Sequence, residues 1–321
     1  MAVDFGVQEP LVSVVIPTYN RPSYLAEAIA SAVQQTYKNI EIVISDDCSA
    51  DHPQAIVDSF KDSRIKFRRN SSNLGVAANV SAAVGETQGK YIATLNDDDV
   101  WHKEFLENLV PPLEANPELV LAFCDYYMMN PDGTINHELT EKKTQEEKRN
   151  QLQEGVYRPF WKIGLVDRSV FLASAAIVRK DAVAWNEIYG AGVFWDYYTI
   201  YLAARSGLGA YYCPQRLSQY RLSTLSVLRN PAPQAKICKG KAGIFCHGRF
   251  IEDPLLQEFK PFFQQQWAKE STSIGIGLMR AKQPKEARSY LLSSLKQQKL
   301  SLRTLVALTL SFTPAAIASR F

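Results

Sequence analysis

The chain has 321 residues, 46% of them hydrophobic and 21% charged, and this composition excludes wholesale disorder. Its five cysteines are odd in number and form no C-x-x-C pair, which argues against a disulfide framework or a zinc site and favours reduced thiols in the cytoplasm. The net charge of +3 is unevenly distributed. Residues 1–233 hold 22 Lys and Arg against 28 Asp and Glu, whereas residues 234–321 hold 14 against 5. The C-terminal part is therefore basic, and we expect it to face either an anionic surface or plain solvent.

Apolar patterns alternate along the first part of the chain. Five runs have the composition of sheet strands: LVSVVI (11–16), IEIVI (40–44), RIKFRR (64–69), YIATL (91–95) and LVLAFC (119–124). Four segments that separate them have apolar residues at helical spacing: 23–35, 53–60, 76–84 and 103–115. This alternation predicts an α/β fold with a largely parallel sheet and right-handed crossovers.

The remainder of the chain changes character. Residues 138–154 carry nine charges of mixed sign without an apolar stripe, which predicts a mobile flap or a solvated surface loop. The run VFLASAAIV (170–178) predicts one more strand. Residues 234–321 have helical patterns, so we expect an α/β domain over 1–230 and a helical extension over 231–321.

No segment has the pattern of a membrane signal. The start, MAVDFGVQEP, lacks a basic stretch followed by an apolar one, so we expect no signal peptide. The longest apolar tract, 300–318, is interrupted by Arg303 and Pro314 and makes a poor membrane span.

Acidic residues follow the ends of predicted strands. In parallel sheets, ligands bind outside the carboxyl ends of the strands, so residues of these loops should share one edge. They can chelate a metal, accept hydrogen bonds from a nucleobase or ribose, or serve as turn and cap residues. The acidic residues expected at this edge are Asp46, Asp47, Asp97, Asp98 and Asp99.

The run of three aspartates sets limits on a metal site. Side chains of an extended chain alternate, so we expect Asp97 to point away from Asn96 and Asp98. One or two of the carboxylates can then hold Mg²⁺ or Mn²⁺, with water and a substrate phosphate in the other positions. This arrangement predicts a site that binds a diphosphate-containing substrate through the metal ion.

Four blocks of the sequence resemble a family 2 inverting glycosyltransferase of the GT-A fold: VSVVIPTYNRPSYLAEAIASAVQQTY, EIVISDDCSAD, NLGVAANVSAAVGETQGKYIATLNDDDVW and FWDYYTIYLAARSG. The similarity covers about residues 11–225, in the order and at the spacing of the family. It implies a Rossmann-like, mostly parallel sheet flanked by helices. It also implies metal-assisted transfer of a sugar from a nucleotide-diphospho-sugar, with UDP favoured, to a glycan or lipid-linked acceptor.

The resemblance also implies roles for the donor pocket. Asp47 matches the carboxylate that accepts a hydrogen bond from the base, and Asp46 lies beside it. Asn79 falls at the start of the helix that lines the sugar-nucleotide pocket. The residues matched to this pocket are Pro17, Thr18, Tyr19, Asp46, Asp47 and Asn79.

The reacting groups are matched in the same way. Asn96, Asp97 and Asp98 match the DxD triplet, with Asp98 on Mn²⁺ or Mg²⁺, and Asp196 matches the general base. Arg221 either bridges the diphosphate or forms a structural salt bridge.

Three positions depart from the family pattern. Asn96 replaces the usual first Asp, Trp195 replaces a Glu before the base, and Ser223 replaces a His. The departures at Asn96 and Ser223 put strong metal dependence in doubt and leave open an alternative, a nucleotide-sugar-binding module with weak or no catalysis.

The C-terminal part has its own implications. PKEARSYLLSSL resembles the helical tails of bacterial family 2 enzymes. With its basic charge, this part either docks on the inner face of the plasma membrane or forms a helical cap or homodimer surface. No nucleic acid partner is expected.

Overall fold

The computed structural model describes residues 9–223, 231–297 and 301–313. These residues form two compact units. The first holds residues 9–186 and 199–223, and the second holds 187–198 together with the described residues beyond 230. The domain boundary that we predicted at residue 230 stays a prediction.

The first unit is built on one sheet. Its strands are β1 (Val12–Thr18), β2 (Ile40–Asp46), β3 (Ile65–Arg69), β4 (Tyr91–Thr94), β5 (Val100–Trp101), β6 (Leu119–Met129), β7 (Gly155–Tyr157), β8 (Ala176–Arg179) and β9 (Gly209–Arg221). Over the described residues the order is β3-β2-β1-β4-β8-β6-β9-β5, with β7 also paired to β9. Six strands share one direction, and β5, β7 and β8 oppose them. The predicted α/β fold with a mostly parallel sheet is confirmed.

The helices that belong wholly to the first unit lie between its strands along the chain. They are α1 (Pro22–Val33), α2 (Gln54–Asp58), α3 (Val76–Gly85), α4 (Phe105–Ala115), α5 (His137–Glu146) and α6 (Leu172–Ala175). The α1 helix buries Leu25, Ile29 and Ala32, and every residue of β1 is buried. A central strand covered in this way gives the loop after it a fixed starting point.

The segment 138–154 is not the loop that its charges predicted. Most of it is the α5 helix, which begins at the Asn136 cap, where the Asn136 side chain accepts from the Leu139 N–H at 2.9 Å. Beyond the helix, Arg149 is buried, donates to Asp125 at 2.6 Å and stacks on the ring of Tyr126 at 4.0 Å. A charged residue therefore anchors this segment to β6.

The run 170–178 is a strand only at its end. Leu172–Ala175 forms the short α6 helix, and Ala176–Arg179 forms β8 between β4 and β6. A short apolar run fits a buried helix as well as a buried strand, so the prediction of a single strand over 170–178 was wrong for its first part.

The second unit is helical, as the pattern of residues 234–321 predicted. Its helices are α8 (Pro233–Glu252), α9 (Lys260–Arg280), α10 (Pro284–Gln297) and α11 (Leu302–Leu310), and α7 (Trp195–Arg205) is divided between the two units. Small residues allow α9 and α10 to approach closely, since a Cβ at Gly275 would lie 2.6 Å from Leu291 Cγ. Of the apolar tract 300–318, residue 300 and residues 314–318 lie outside the described residues.

In the parts of the chain that the structure describes, each helix is too short or too polar to cross a bilayer.

Candidate functional site

The loops that follow β1, β2 and β4 meet at one edge of the sheet. Thr18 lies opposite Asp46 in parallel strands, so both loops leave in the same direction. The backbone N–H of Asp47 donates to Thr18 O at 2.9 Å, and the Thr18 hydroxyl donates to Asp97 Oδ2 at 2.8 Å. The structure therefore brings together acidic residues from loops that are distant in sequence.

Asp97 and Asp98 converge on one cationic atom. Nη1 of Arg21 donates to Asp97 Oδ1 and to Asp98 Oδ2, each at 2.9 Å. We expected these two side chains to point apart, and that expectation was wrong. The segment is a turn, in which the Asp99 N–H donates to Asn96 O at 3.1 Å, and a turn lacks the alternation of an extended strand.

Asp99 is directed to a different set of partners. Its Oδ2 accepts from the Ser174 hydroxyl at 2.6 Å and from Asn96 Nδ2 at 3.1 Å. Its Oδ1 accepts from the backbone N–H of Arg221 at 2.9 Å, and the residue is fully buried. Asp99 therefore positions the loop, and the side-chain amide of Asn96 is hydrogen-bonded to Asp99.

Burial dominates the electrostatics of this loop. It raises the pKa of Asp97 to about 6 against the opposing effect of Arg21. Burial and the nearby charge of Asp98 raise the pKa of Asp99 to about 8. The pKa of Asp98 is raised as well, because burial outweighs Arg21. Carboxylates held this closely favour a cation between them.

Asp46 has the contacts of a turn residue. It is fully buried, and its Oδ1 accepts from the Ser49 N–H at 3.1 Å. Its Oδ2 accepts from Arg69 Nη1 at 2.6 Å in an ion pair. These contacts fix the start of the loop after β2.

Asp47 connects the loop after β2 to the start of α3. Its Oδ1 accepts from Asn70 Nδ2 at 2.8 Å and from the Leu74 N–H at 2.9 Å, and its Oδ2 accepts from the Gly75 N–H at 2.9 Å. A carboxylate has roughly four acceptor sites, so three donors leave capacity for a hydrogen bond from a ligand.

Asn79 lies beneath this edge, fully surrounded by protein. Its Nδ2 donates to Ser45 O at 2.8 Å, and its Oδ1 accepts from Asn70 Nδ2 at 2.9 Å. Only 1% of its surface is exposed, so it supports Asn70 and the end of β2. Its predicted contact with a nucleotide stays a prediction.

Arg221 is held by the protein on every side-chain nitrogen. Nε donates to Asp98 O at 2.8 Å, Nη1 to Pro131 O at 3.2 Å and Nη2 to Glu27 at 2.6 Å. The guanidinium also lies over the ring of Tyr24 at 4.8 Å. These contacts fit the structural salt bridge, and a contact with a diphosphate stays a prediction.

Two other predicted residues of the first loop differ in exposure. Pro17 is buried inside β1, where it lies opposite Ser45. Tyr19 is 44% exposed at the edge, directly after the strand. Tyr19 is therefore available to a ligand from solvent, whereas Pro17 shapes the strand end.

Asp196 lies in the first turn of α7, in the second unit. The adjacent rings of Tyr197 and Tyr198 are buried, and they pack against Phe250 at 5.3 Å and Phe245 at 5.2 Å. These tyrosines are core residues. The predicted role of Asp196 as a base stays a prediction.

The donor set of the first unit fits a hard divalent ion. Among the described residues, no group of three or more His, Cys, Asp or Glu is arranged as a complete metal site. Two carboxylate oxygens nevertheless converge on one cationic atom, and Mg²⁺ or Mn²⁺ is commonly held by one or two carboxylates plus substrate phosphate and water. Asp97 and Asp98 are the residues that fit.

Sequence reasoning gave no role to two residues at this edge. Arg21 is the one basic residue of the PTYNR segment, next to an otherwise acidic cluster, and this contrast was the available signal. Asn70 follows the end of β3 and donates to both Asp47 and Asn79. The sequence around Asn70 has no feature that would have indicated this role.

Comparison with known proteins identifies the family. The model of glycosyl transferase family 2 matches residues 13–173. The E. coli UDP-Glc:alpha-D-GlcNAc-diphosphoundecaprenol beta-1,3-glucosyltransferase WfaP is 36% identical over 118 residues, which are 37% of this chain and 47% of that protein. The chain spans about half the length of several curated relatives that it matches.

Solved structures share the fold at low identity. S. aureus TarS 1-349 in complex with UDP-GlcNAc has a TM-score of 0.62 at 16% identity, over 88% of this chain and 81% of that one. The mannosyltransferase PcManGT from Pyrobaculum calidifontis, in complex with GDP-Man and Mn²⁺, has a TM-score of 0.52 at 16% identity, over 98% and 87%. These likenesses confirm the predicted GT-A fold. Since the family model matches half of its residues, the chain belongs to glycosyl transferase family 2.

Proposed function

We propose that this chain is an inverting glycosyltransferase that moves a sugar from a nucleotide-diphospho-sugar to a glycan or lipid-linked acceptor. The observation that carries the proposal is the convergence of Asp97 and Asp98 on one cationic atom, at the sheet edge where α/β proteins bind ligands. A diphosphate with its counter-ion fits that charge pattern, and membership of the family supports a transferase.

The nucleoside of the donor would bind on the loops after β1 and β2. Asp47 has acceptor capacity left for a base N–H, and the exposed ring of Tyr19 offers a stacking surface. A uracil N–H meets this condition. WfaP, which is named for its UDP-Glc donor, and TarS, whose structure is a complex with UDP-GlcNAc, support UDP as the favoured nucleotide.

Asp98 would hold Mn²⁺ or Mg²⁺, with Asp97 beside it. When bound, such an ion stabilises the negative charge that develops on the departing diphosphate. The contact of Asp97 with the Thr18 hydroxyl keeps its carboxylate oriented toward this position. The Mn²⁺ in the PcManGT complex supports the same choice of ion.

Asp196 would act as the general base. The acceptor hydroxyl must lose its proton as it attacks the anomeric carbon, and the Asp196 carboxylate would accept that proton. In a single displacement of this kind the sugar inverts its configuration. The proton ends on the carboxylate and the electron pair on the diphosphate.

The acceptor side of the proposal concerns the cell envelope. WfaP is named for a diphosphoundecaprenol acceptor, so a lipid-linked acceptor and a role in polysaccharide synthesis on the cytoplasmic side are proposed for this chain as well. Peripheral contact with an anionic membrane through the second unit would bring enzyme and acceptor together. A homodimer through the same unit is the competing use of that surface.

The test measures sugar transfer by the purified full chain with Mn²⁺ and a panel of UDP, dTDP and GDP sugars. We expect Asp196→Asn to lower kcat by roughly 10²–10⁴-fold and to leave UDP binding intact, since the base acts only in the displacement. Asp98→Asn should lose the dependence on Mn²⁺. The exposed Asp51→Asn serves as a control for a charge change in the neighbouring loop.

Two outcomes would contradict the assignment. Equal turnover by wild type and Asp196→Asn on an identified acceptor would remove Asp196 from the role of base. Binding of a nucleotide sugar by wild type without transfer to any acceptor would favour the alternative, a catalytically weak or inactive binding module.

A further inference from the structure

We propose that Arg21 is a built-in counter-ion that occupies the metal position in the free protein, so that a divalent ion binds Asp98 only by displacing its guanidinium. The inference rests on the proposed function, because it concerns the same metal position. It adds a positioning residue that controls the affinity of the metal.

The geometry places one atom between both carboxylates. Arg21 Nη1 lies 2.9 Å from Asp97 Oδ1 and 2.9 Å from Asp98 Oδ2. The three side chains are 16%, 4% and 10% exposed, in the order Arg21, Asp97 and Asp98. A divalent ion held by these carboxylates would compete with the guanidinium for this position.

The charge balance explains why the position is filled. Two buried carboxylates without a cation would repel each other and pay a large desolvation cost. Arg21 supplies a positive charge that needs no metal, so the loop can fold before any ion arrives. The same contact makes Arg21 a competitor of the ion.

Asp97 and Asp98 differ in how firmly they are held. Asp97 Oδ2 accepts from the Thr18 hydroxyl at 2.8 Å and lies 3.4 Å from the Tyr19 nitrogen, so this carboxylate stays in place without Arg21. Asp98 is the more exposed of the two and contacts Arg21 and Ser223. The exchange of cations therefore takes place at Asp98.

The displaced guanidinium has a destination in the proposed complex. Arg21 lies in the loop that follows β1 and precedes α1, at the edge where the donor diphosphate would bind. Arg binds phosphate oxygens through two parallel, charge-assisted hydrogen bonds. Metal and diphosphate would then favour each other's binding, since the diphosphate accepts the guanidinium that the metal expels.

The experiment measures Mn²⁺ binding by electron paramagnetic resonance of the free ion, without donor or acceptor, for wild type, Arg21→Gln and Arg21→Lys. We expect Arg21→Gln to bind Mn²⁺ about tenfold more tightly, because a competing cation is gone. Arg21→Lys keeps that cation and should stay near wild type. Arg64→Gln makes the same charge change at an ion pair with Asp62 and should leave the affinity unchanged.

A second measurement compares the binding of UDP and of uridine in the presence of saturating Mn²⁺, which by this proposal has expelled the guanidinium from the two carboxylates. Arg21→Gln should weaken UDP binding and leave uridine binding unchanged, because only UDP offers phosphate to the guanidinium. Thermal unfolding of each variant reports whether the fold is kept.

The outcomes separate this inference from the proposed function. Equal or weaker Mn²⁺ binding by a folded Arg21→Gln would overturn the role of Arg21, even if wild type transfers sugar normally. Absence of Mn²⁺ binding by wild type and by Arg21→Gln, together with absence of transfer, would instead overturn both.

Discussion

At the scale of single residues, Asp47 combines a structural and a ligand-binding role. It holds the N–H groups of Leu74 and Gly75 at the start of α3, and it is proposed to receive the base of the donor. Asp47→Asn replaces one acceptor oxygen by an NH₂ group that faces existing donors. We expect it to lower the free energy of unfolding by about 1–3 kcal/mol and to weaken UDP binding.

Urea unfolding and calorimetric titration with UDP measure these two effects. Asp51→Asn, at an exposed position four residues later, makes the same chemical change without these contacts and should alter neither quantity. If a folded Asp47→Asn variant binds UDP as tightly as wild type does, Asp47 does not bind the nucleobase.

The gathering of the acidic residues could be predicted, but their directions could not. Parallel strands end at a common edge, so the placement of Asp47 and Asp97 at the same edge follows from the strand order. The convergence of Asp97 and Asp98 depends on a turn that Ser174 and Arg221 stabilise through Asp99. These partners are far away in sequence and leave no local pattern.

At the scale of elements, Glu41 connects β2 to three neighbouring segments, β1, β3 and the loop before β4. It is buried near the start of the strand and accepts from the Ser13 hydroxyl at 2.6 Å, Lys66 Nζ at 2.7 Å and the Gln88 N–H at 2.5 Å. Burial opposes its charge, but these donors outweigh burial and lower its pKa below the usual 4.5. Its charge therefore contributes to stability.

This shift predicts a dependence of stability on pH. Because the folded pKa is lowered, the contribution is present above pH 4.5 and is lost as the pH falls through the folded pKa. Glu41→Gln should lower the free energy of unfolding by about 1–3 kcal/mol at neutral pH, and its difference from wild type should shrink in acid. Urea unfolding across this range provides the measurement.

The control for Glu41 is Glu86→Gln. Glu86 also pairs with a basic residue of β3, Arg68, but its side chain is 59% exposed. An exposed pair contributes little, so this variant should stay within about 1 kcal/mol of wild type. If Glu41→Gln lowers the free energy of unfolding by the same amount at every pH, the packing of the side chain, and not its charge, explains the effect.

The elements that sequence patterns predicted well are those with one dominant signal. β1 and β2 are continuous apolar runs with every residue buried, and burial on both faces leaves few alternatives. The α5 helix lacks such a signal, because its surface is charged and its anchor, Arg149, is a polar residue buried against Asp125. A pattern method assigns charged residues to solvent.

At the scale of the whole molecule, the charge asymmetry of the sequence has a structural counterpart within the second unit. Burial lowers the pKa of Lys236, and the nearby positive charges of Arg280, Arg303 and Lys239 lower it further. These four residues therefore form a basic patch. Next to it on α11, Leu302 is 78% exposed and Val306 is 38% exposed. A basic patch beside exposed apolar side chains fits an anionic lipid surface.

We expect the full chain to bind vesicles that contain phosphatidylglycerol, and to be released by salt, since such attraction is screened at high ionic strength. Reversing the charge of Lys239 and Arg303 to Glu should weaken vesicle affinity by more than about tenfold, because each basic side chain contributes about 1 kcal/mol near the surface. Co-sedimentation with anionic and zwitterionic vesicles provides the measurement.

The matched control reverses two exposed lysines of the first unit, Lys61 and Lys142, and so changes the net charge equally. If both double variants lose affinity to the same extent, attraction depends on net charge and the basic patch has no special role. If wild type ignores anionic vesicles at low salt, the membrane is not the partner of this surface. Sedimentation velocity of wild type and the patch variant then decides whether a second copy of the chain covers it.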